Sequence, residues 1–390
     1  MLKTIPIPSL IRATLILLIL VHPALGQAPD LEWEVAFGGA GDERGLALQE
    51  TRDTGIVVAG YTSSKGVGKK DLWLIKTDSE GEMEWERTLG GPADDEGWAV
   101  LETKDGGYLL TGFTESEGSG GKDLWLVKTY SDGYERWKKT FGAAGDDWGV
   151  AVLETKDGGY AVAAVTTSRG SGGSDGWILK TDPDGNLEWE TTMGGSKNDG
   201  ISSILEIEDG YLVVGFTESY GAGGKDIWLV KMDPEGERIW EKTFGKGGDE
   251  RSNFVREMED GYVVVGVSDS GGSGGRDVWL IRTDIEGETI WEKTFGGSGD
   301  DGCWSAAEGE GGLIFIGYTE SQGRGDQDLW LLKISPDGEK AWEKTLGGSG
   351  FDLGRAIVST KDGGWAMTGW TESMGSGGED LWLVKIEGRS

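Results

Sequence analysis

Residues 137–188 read WKKTFGAAGDDWGVAVLETKDGGYAVAAVTTSRGSGGSDGWILKTDPDGNLE, and Trp189 then starts the same pattern again. The period runs through the chain: Trp33, Trp85, Trp137, Trp189, Trp240, Trp291 and Trp342 are spaced by 52, 52, 52, 51, 51 and 51 residues. A second series keeps step with it, Trp73, Trp125, Trp177, Trp228, Trp279, Trp330 and Trp382. Each of these follows an aspartate by two residues: Asp71, Asp123, Asp175, Asp226, Asp277, Asp328 and Asp380. Self-similarity at a fixed period of this length marks an array of equivalent supersecondary units.

Turn chemistry cuts each unit into four short strands. The first, expected over residues 98–103 in the second copy, ends at Lys104-Asp105-Gly106-Gly107, a tight hairpin. The second, Tyr108–Thr114, runs into a Gly/Ser-rich loop, and the third, Asp123–Thr129, ends in a turn seen later as Asp182-Pro183-Asp184-Gly185. There the Asp caps the turn, Pro presets φ and Gly takes the left-handed position. The fourth is expected over residues 188–193 of the next copy. Leu72-Trp73-Leu74-Ile75 in a third strand is apolar without alternation, as when both faces are covered. Trp240-Glu241-Lys242-Thr243-Phe244 in a fourth strand alternates, which suits an outer edge half in water. Four antiparallel strands repeated seven times predict an all-β, seven-bladed β-propeller. A fourth-strand sequence, Leu31–Phe37, opens the repeats and a third strand, Asp380–Ile386, ends them, so pairing of the N-terminal strand with the C-terminal blade closes the ring. Residues 31–387 are expected to form this one domain, with a short segment 27–30 before it and a tail 388–390 after it.

Composition fits that reading. Of 390 residues 71 are Gly, far above the usual ~7%, and the repeated loops absorb most of them. Lys3 and Arg12 precede an apolar run over residues 13–21, followed by the small-x-small motif Ala24-Leu25-Gly26. This predicts a signal peptide over residues 1–26, cleaved near Gly26, and a secreted or periplasmic product. The run is shorter than the ~20 residues of a spanning helix, and no later segment is apolar enough to cross a membrane. Loss of Lys3 and Arg12 takes 37 basic residues to 35 against 69 acidic ones, a charge of −34. Such a charge argues against nucleic acid as a partner and for cations or basic surfaces. The only histidine, His22, leaves with the signal peptide, which removes His-based triads, general bases and metal ligands from the mature chain. Lone Cys303 has no partner for a disulfide and is expected as a buried small residue.

The units have the form G-G-x-x-x-D…D-G-G-Y…G-[YF]-T…G-G-x-D…K-x-D…G…W. They resemble those of secreted bacterial and archaeal seven-bladed propeller-repeat proteins, along essentially the whole mature chain. That resemblance implies an extracellular repeat module without an assigned reaction. The stretch from Asp78 through Gly81 to Trp85 also resembles the tryptophan-docking repeats of pyrroloquinoline-quinone dehydrogenases. Those enzymes usually have eight blades, a calcium-bound cofactor and a vicinal Cys pair, so the resemblance here implies the packing role of the Trp and not the redox activity.

Candidate functional residues come from the loops between blades. Glu43, Asp95, Asp147, Asp199, Glu250, Asp301 and Asp352 form an acidic series, one per unit, where the chain enters an innermost strand. Seven carboxylates around a channel mouth would repel one another, raising pKa values or recruiting cations such as Ca2+; alternatively each caps its own Gly-rich turn. Asp71 and its equivalents are expected to bond their own loops, with Thr62, Thr114, Thr166, Thr217, Ser268, Thr319 and Thr371 as partners across the loop. Trp98, Trp148 and Trp304 lie outside the two periodic series and are candidate aromatic contacts for a sugar ring. The sequence contains no catalytic motif. The expected function is a secreted, non-enzymatic, monomeric scaffold whose acidic face binds an extracellular protein, a glycan or cations. The alternative is a carboxylate-based carbohydrate-active enzyme, a glycosidase or polysaccharide lyase, needing two carboxyls ~5–5.5 or ~6.5–9.5 Å apart for hydrolysis.

Overall fold

The computed structural model describes residues 27–388, so the expected signal peptide and the last two residues lie outside the described residues. Twenty-eight strands form seven four-stranded antiparallel sheets. Six sheets are built from four consecutive strands, as in Asp95–Glu102, Tyr108–Thr114, Asp123–Thr129 and Glu135–Phe141. The seventh joins Asp352–Ser359, Trp365–Thr371 and Asp380–Ile386 to the N-terminal strand Leu31–Phe37, which pairs from Leu31↔Ile386 to Phe37↔Leu381. The expected seven-bladed propeller and its mode of closure are therefore both present.

Each first strand starts three residues earlier than its turn signals suggested, at the rim acid itself. The Asp95 N–H donates to the Lys70 carbonyl of the preceding blade at 2.8 Å, and Asp95 pairs with Thr114 in its own ladder. The same bond between blades recurs seven times, from Asp301 N–H to Arg276 O at 2.6 Å through Glu43 N–H to Glu379 O at 2.7 Å, where it crosses the closure. Blade identity thus begins with a backbone link to the blade before.

Packing follows the strand patterns. Second and third strands are buried almost end to end, whereas fourth strands alternate between exposed and half-buried residues. Every third-strand Trp is at most 3% exposed, and it packs among the apolar side chains of the neighbouring blade. The fourth-strand Trp crosses onto the turn of the next blade. At Gly185, whose φ is +75°, a Cβ would stand 2.7 Å from the Trp137 ring, so the turn glycine both takes the left-handed conformation and makes room for the Trp. Opposite the first-strand bulge a second close approach occurs, where a Cβ on Gly112 would stand 2.0 Å from the Glu96 carbonyl.

A buried cation sits at the hairpin end of the blades. Lys128, 1% exposed near the end of an apolar third strand, bonds Asp105 of its own Asp-Gly-Gly hairpin at 2.9 Å. Lys76 with Asp53, Lys180 with Asp157, Lys231 with Asp209, Arg282 with Asp260 and Lys385 with Asp362 repeat the pair. At this end, carboxylates also stitch neighbouring blades together. Backbone N–H groups of Arg52, Lys104 and Lys361 donate to Glu102, Glu154 and Glu50 of the next blade, each at 2.9 Å.

Candidate functional site

The seven rim acids open the innermost strands and are all buried, 0 to 1% exposed. Their carboxylates are directed into their own loops. Asp95 Oδ2 accepts the Gly91 N–H at 2.8 Å and the Ser116 hydroxyl at 2.7 Å, and Oδ1 accepts the Thr114 hydroxyl. Asp352 repeats this with Gly348, Ser373 and Thr371. Glu43, one methylene longer, takes the Gly39 N–H at 2.7 Å, the Thr62 hydroxyl at 2.9 Å and the Ser64 N–H at 3.0 Å.

Thr62, Thr114, Thr217, Ser268 and Thr371 therefore bond the rim acid and not the third-strand aspartate expected across the loop. Thr114 stands between two carboxylates, opposite Asp95 in one ladder and Asp123 in the other; its hydroxyl turns to Asp95, while Asp123 accepts the Ser119 N–H of the loop at 2.8 Å. The third-strand aspartates bond loop N–H groups instead, as Asp175 does with Ser171 at 2.9 Å.

Raised carboxyl pKa values fall on the third-strand aspartates. Burial pushes Asp123, Asp175, Asp226, Asp277 and Asp380 up; one loop N–H pulls each down, and the rim acid of the next blade adds to the rise. At the other end of the sheets, burial also acts to raise Asp157 and Asp362, but Thr, Lys and backbone donors outweigh it and bring both down to about 2. The two groups act on stability in different windows. A carboxyl raised in the fold adds stability as pH falls towards the unfolded value of about 4, and one depressed to about 2 keeps its contribution until pH falls below about 4. Relief of the chain's large negative charge, −32 at pH 7, acts in the first direction. The urea midpoint should therefore rise from pH 7 to a maximum near pH 4–5 and fall at more acid pH. A midpoint that drops steadily from pH 7 to pH 5 would contradict this assignment.

Inside the rim acids, the channel wall breaks the sevenfold pattern. Every innermost strand carries one bulged residue without a partner in the ladder: Leu46, Trp98, Val150, Ser202, Asn253, Trp304 and Arg355. Several of these side chains reach the next strand around the axis. Ser202 donates to the Ser252 carbonyl and Asn253 to the Cys303 carbonyl, both at 2.7 Å, and the Arg355 guanidinium lies 5.5 Å from the Trp304 ring centroid.

At the loop-bearing end, cations sit on aromatic faces: Lys70 on Tyr61 and Lys122 on Phe113 at 4.0 Å, Lys225 on Phe216 at 4.4 Å and Arg44 on Trp370 at 4.3 Å. Three of these cations are also ion-paired, Arg44 with Glu379, Lys70 with Glu96 and Lys225 with Glu218, so the rings hold charges that are largely balanced.

The three candidate tryptophans are all half-buried on innermost strands, yet they do not form one group. Trp98 and Trp304 occupy equivalent bulges in different blades, and Trp148 lies two residues nearer the rim. Trp98 meets Phe113 edge-on at 6.0 Å and donates to Glu96 at 2.9 Å. Trp304 packs against Tyr318 at 5.1 Å and Trp370 at 6.1 Å. Cys303, just before it, is 2% exposed, and burial pushes its thiol up to about 12, well away from nucleophile chemistry.

No protein-family model matches the chain, and no curated protein matches it in sequence. Solved structures do match in shape. A fungal alcohol oxidase of the AA5 family in complex with copper superposes with a TM-score of 0.55 at 12% identity, over 93% of this chain and 77% of that one. The Penicillium chrysogenum alpha-L-arabinanase complexed with arabinobiose gives 0.52 at 9% identity, over 92% and 98%. A puromycin hydrolase gives 0.54 at 13% identity, over 86% of this chain and 52% of that one. At these identities the likeness is one of fold alone.

Proposed function

We propose that the protein is an exported, non-enzymatic binding scaffold that meets an extracellular glycan or protein at the loop-bearing mouth of its channel. The observation that carries this reading is the division of labour at that end. The carboxylates repeated in every blade are engaged by loop donors, while side chains that differ from blade to blade line the channel. The signal-peptide pattern, the absence of His from the mature chain and the resemblance to secreted propeller-repeat proteins support the same reading. Among the described residues no group of three or more His, Cys, Asp or Glu side chains is placed to hold a metal ion, and no helix is long and apolar enough to cross a membrane.

The donors around each rim acid turn their positive ends inward, which disfavours a cation there. Millimolar calcium should leave the melting temperature where a chelator control puts it; a rise of several degrees would restore the cation reading. Ligand binding is tested by probing a glycan and secreted-protein array with the mature chain and with Trp304→Ala, its fold checked by circular dichroism. Binding that Trp304→Ala weakens supports the scaffold reading. A ligand indifferent to Trp304 and Trp98 would move the binding face elsewhere, and release of reducing ends from a bound glycan would favour the carbohydrate-active enzyme.

A further inference from the structure

Of the cations at the mouth, Arg355 stands apart. Its side chain is half-buried at the bulge of the last innermost strand, Asp352–Ser359, and among the described residues it has no hydrogen-bond or ion-pair partner. Its guanidinium lies over the Trp304 ring, 5.5 Å from the centroid. Arg44, on the next innermost strand, occupies a similar place on Trp370 but is neutralised by a two-point ion pair with Glu379. Loss of hydration lowers Arg355 to about 10, so it remains a cation at neutral pH. A half-buried guanidinium with five N–H donors and no protein partner is free to take an opposite charge. Although the chain has 69 acidic residues, none of those described forms an ion pair with it.

Beside this fork runs an aromatic ladder. Tyr318, Trp304 and Trp370 follow one another at centroid distances of 5.1 and 6.1 Å, with planes tilted by 35° and 37°. Tyr318 and Trp304 belong to one blade, Trp370 to the next, and Arg44 carries the series into the blade beyond the closure. The guanidinium fork matches a carboxylate in two-point geometry, and the half-buried indole beside it offers its remaining apolar surface to a ring carrying that carboxylate.

We propose that Arg355 and Trp304 form the anchor of a site for an acidic sugar, a hexuronate unit whose carboxylate meets Arg355 and whose ring lies against Trp304. This rests on the reading of the channel mouth as the ligand face and names the chemistry of what it accepts. Isothermal titration of the mature chain with trigalacturonate, with the neutral galactose trimer and with acetate tests it, repeated on Arg355→Met and Trp304→Ala. Trigalacturonate should bind, the neutral trimer and acetate far more weakly, and Arg355→Met should lose roughly ten- to hundredfold in affinity. The same substitution should leave the melting temperature unchanged or slightly higher, because it removes a half-buried charge that no protein group pairs; a structural arginine would lower it. Neutral trimer binding as tightly, sensitive to Trp304→Ala but indifferent to Arg355, overturns the anion site while keeping the mouth as ligand face. Acetate binding as tightly as trigalacturonate removes the sugar ring from the proposal. Binding of none of the probes overturns this inference, whereas the array decides the broader reading separately.

Discussion

A chain lacking residues 27–37 is expected to lose the closed ring. The strand Leu31–Phe37 supplies the whole outer edge of the last blade, paired along Asp380–Ile386. Its Trp33 indole also reaches the next blade, donating to the Ser79 carbonyl at 3.2 Å and packing over Gly81. Removing it loses about six ladder hydrogen bonds at about 1 kcal/mol each. Half-buried Trp33, Val35 and Phe37 add about 1–2 kcal/mol apiece. That sum approaches the about 5–15 kcal/mol available to a whole domain, and it strips cover from an apolar strand containing Leu381, Trp382, Leu383 and Val384. Size-exclusion chromatography should show expansion or association through the bare edge, and a synthetic peptide of residues 27–37 should restore the elution volume and the unfolding midpoint of the intact chain. An unchanged midpoint in the truncated chain would mean that the backbone and side-chain links across the closure, Glu43 N–H to Glu379 and Lys361 to Glu50, hold the ring without the strand.

The second large effect is expected at the rim. Asp95→Ala removes the shared acceptor of the Gly91 N–H and the Thr114 and Ser116 hydroxyls, and leaves three donors in a place that is 0% exposed. Buried donors deprived of a charged acceptor should cost about 3–5 kcal/mol. Asp95→Asn keeps the shape but turns one acceptor into a donor facing donors, and should fall between the two. Urea unfolding at pH 7 measures both. The sign of the change separates two roles. A carboxylate held for a ligand is commonly kept at the expense of stability, so its loss would leave the midpoint unchanged or raise it. A capping carboxylate gives a lower midpoint.

The fold was legible because its determinants are local and repeated. Trp spacing, the Asp-Gly-Gly hairpin and the Asp-Pro-Asp-Gly turn each report a backbone event within a few residues. The paired ends were legible too, since Leu31–Phe37 carries a fourth-strand pattern with no third strand before it. What crosses between elements was harder to read. Nothing near Thr114 distinguishes Asp95 from Asp123 as its partner, because it stands opposite both, one on each neighbouring strand, and only the turn of its side chain decides. The buried Lys128 escaped notice, although a cation near the end of every apolar third strand, together with an Asp in six of the seven hairpins, is a pair repeated along the chain.

The channel site was half visible. Trp304 stood out as aperiodic, but Arg355 did not, because the bulge shared by the two positions leaves no mark in a strand pattern. The signal was there in another form: this column of the repeat reads Leu46, Trp98, Val150, Ser202, Asn253, Trp304 and Arg355, and the column two residues before it varies as widely, while the rim column nearby is Asp or Glu in every copy. In a repeat protein, constancy marks what builds the blade and variation marks what a single site can use.

That contrast is the central claim, and a crystal structure of the mature chain grown in millimolar calcium tests it most directly. The account predicts seven rim carboxylates hydrogen-bonded inside their own loops, with no anomalous density between them, and an Arg355 side chain open to the channel. A cation bridging two or more of Glu43, Asp95, Asp147, Asp199, Glu250, Asp301 and Asp352 across the mouth would contradict it.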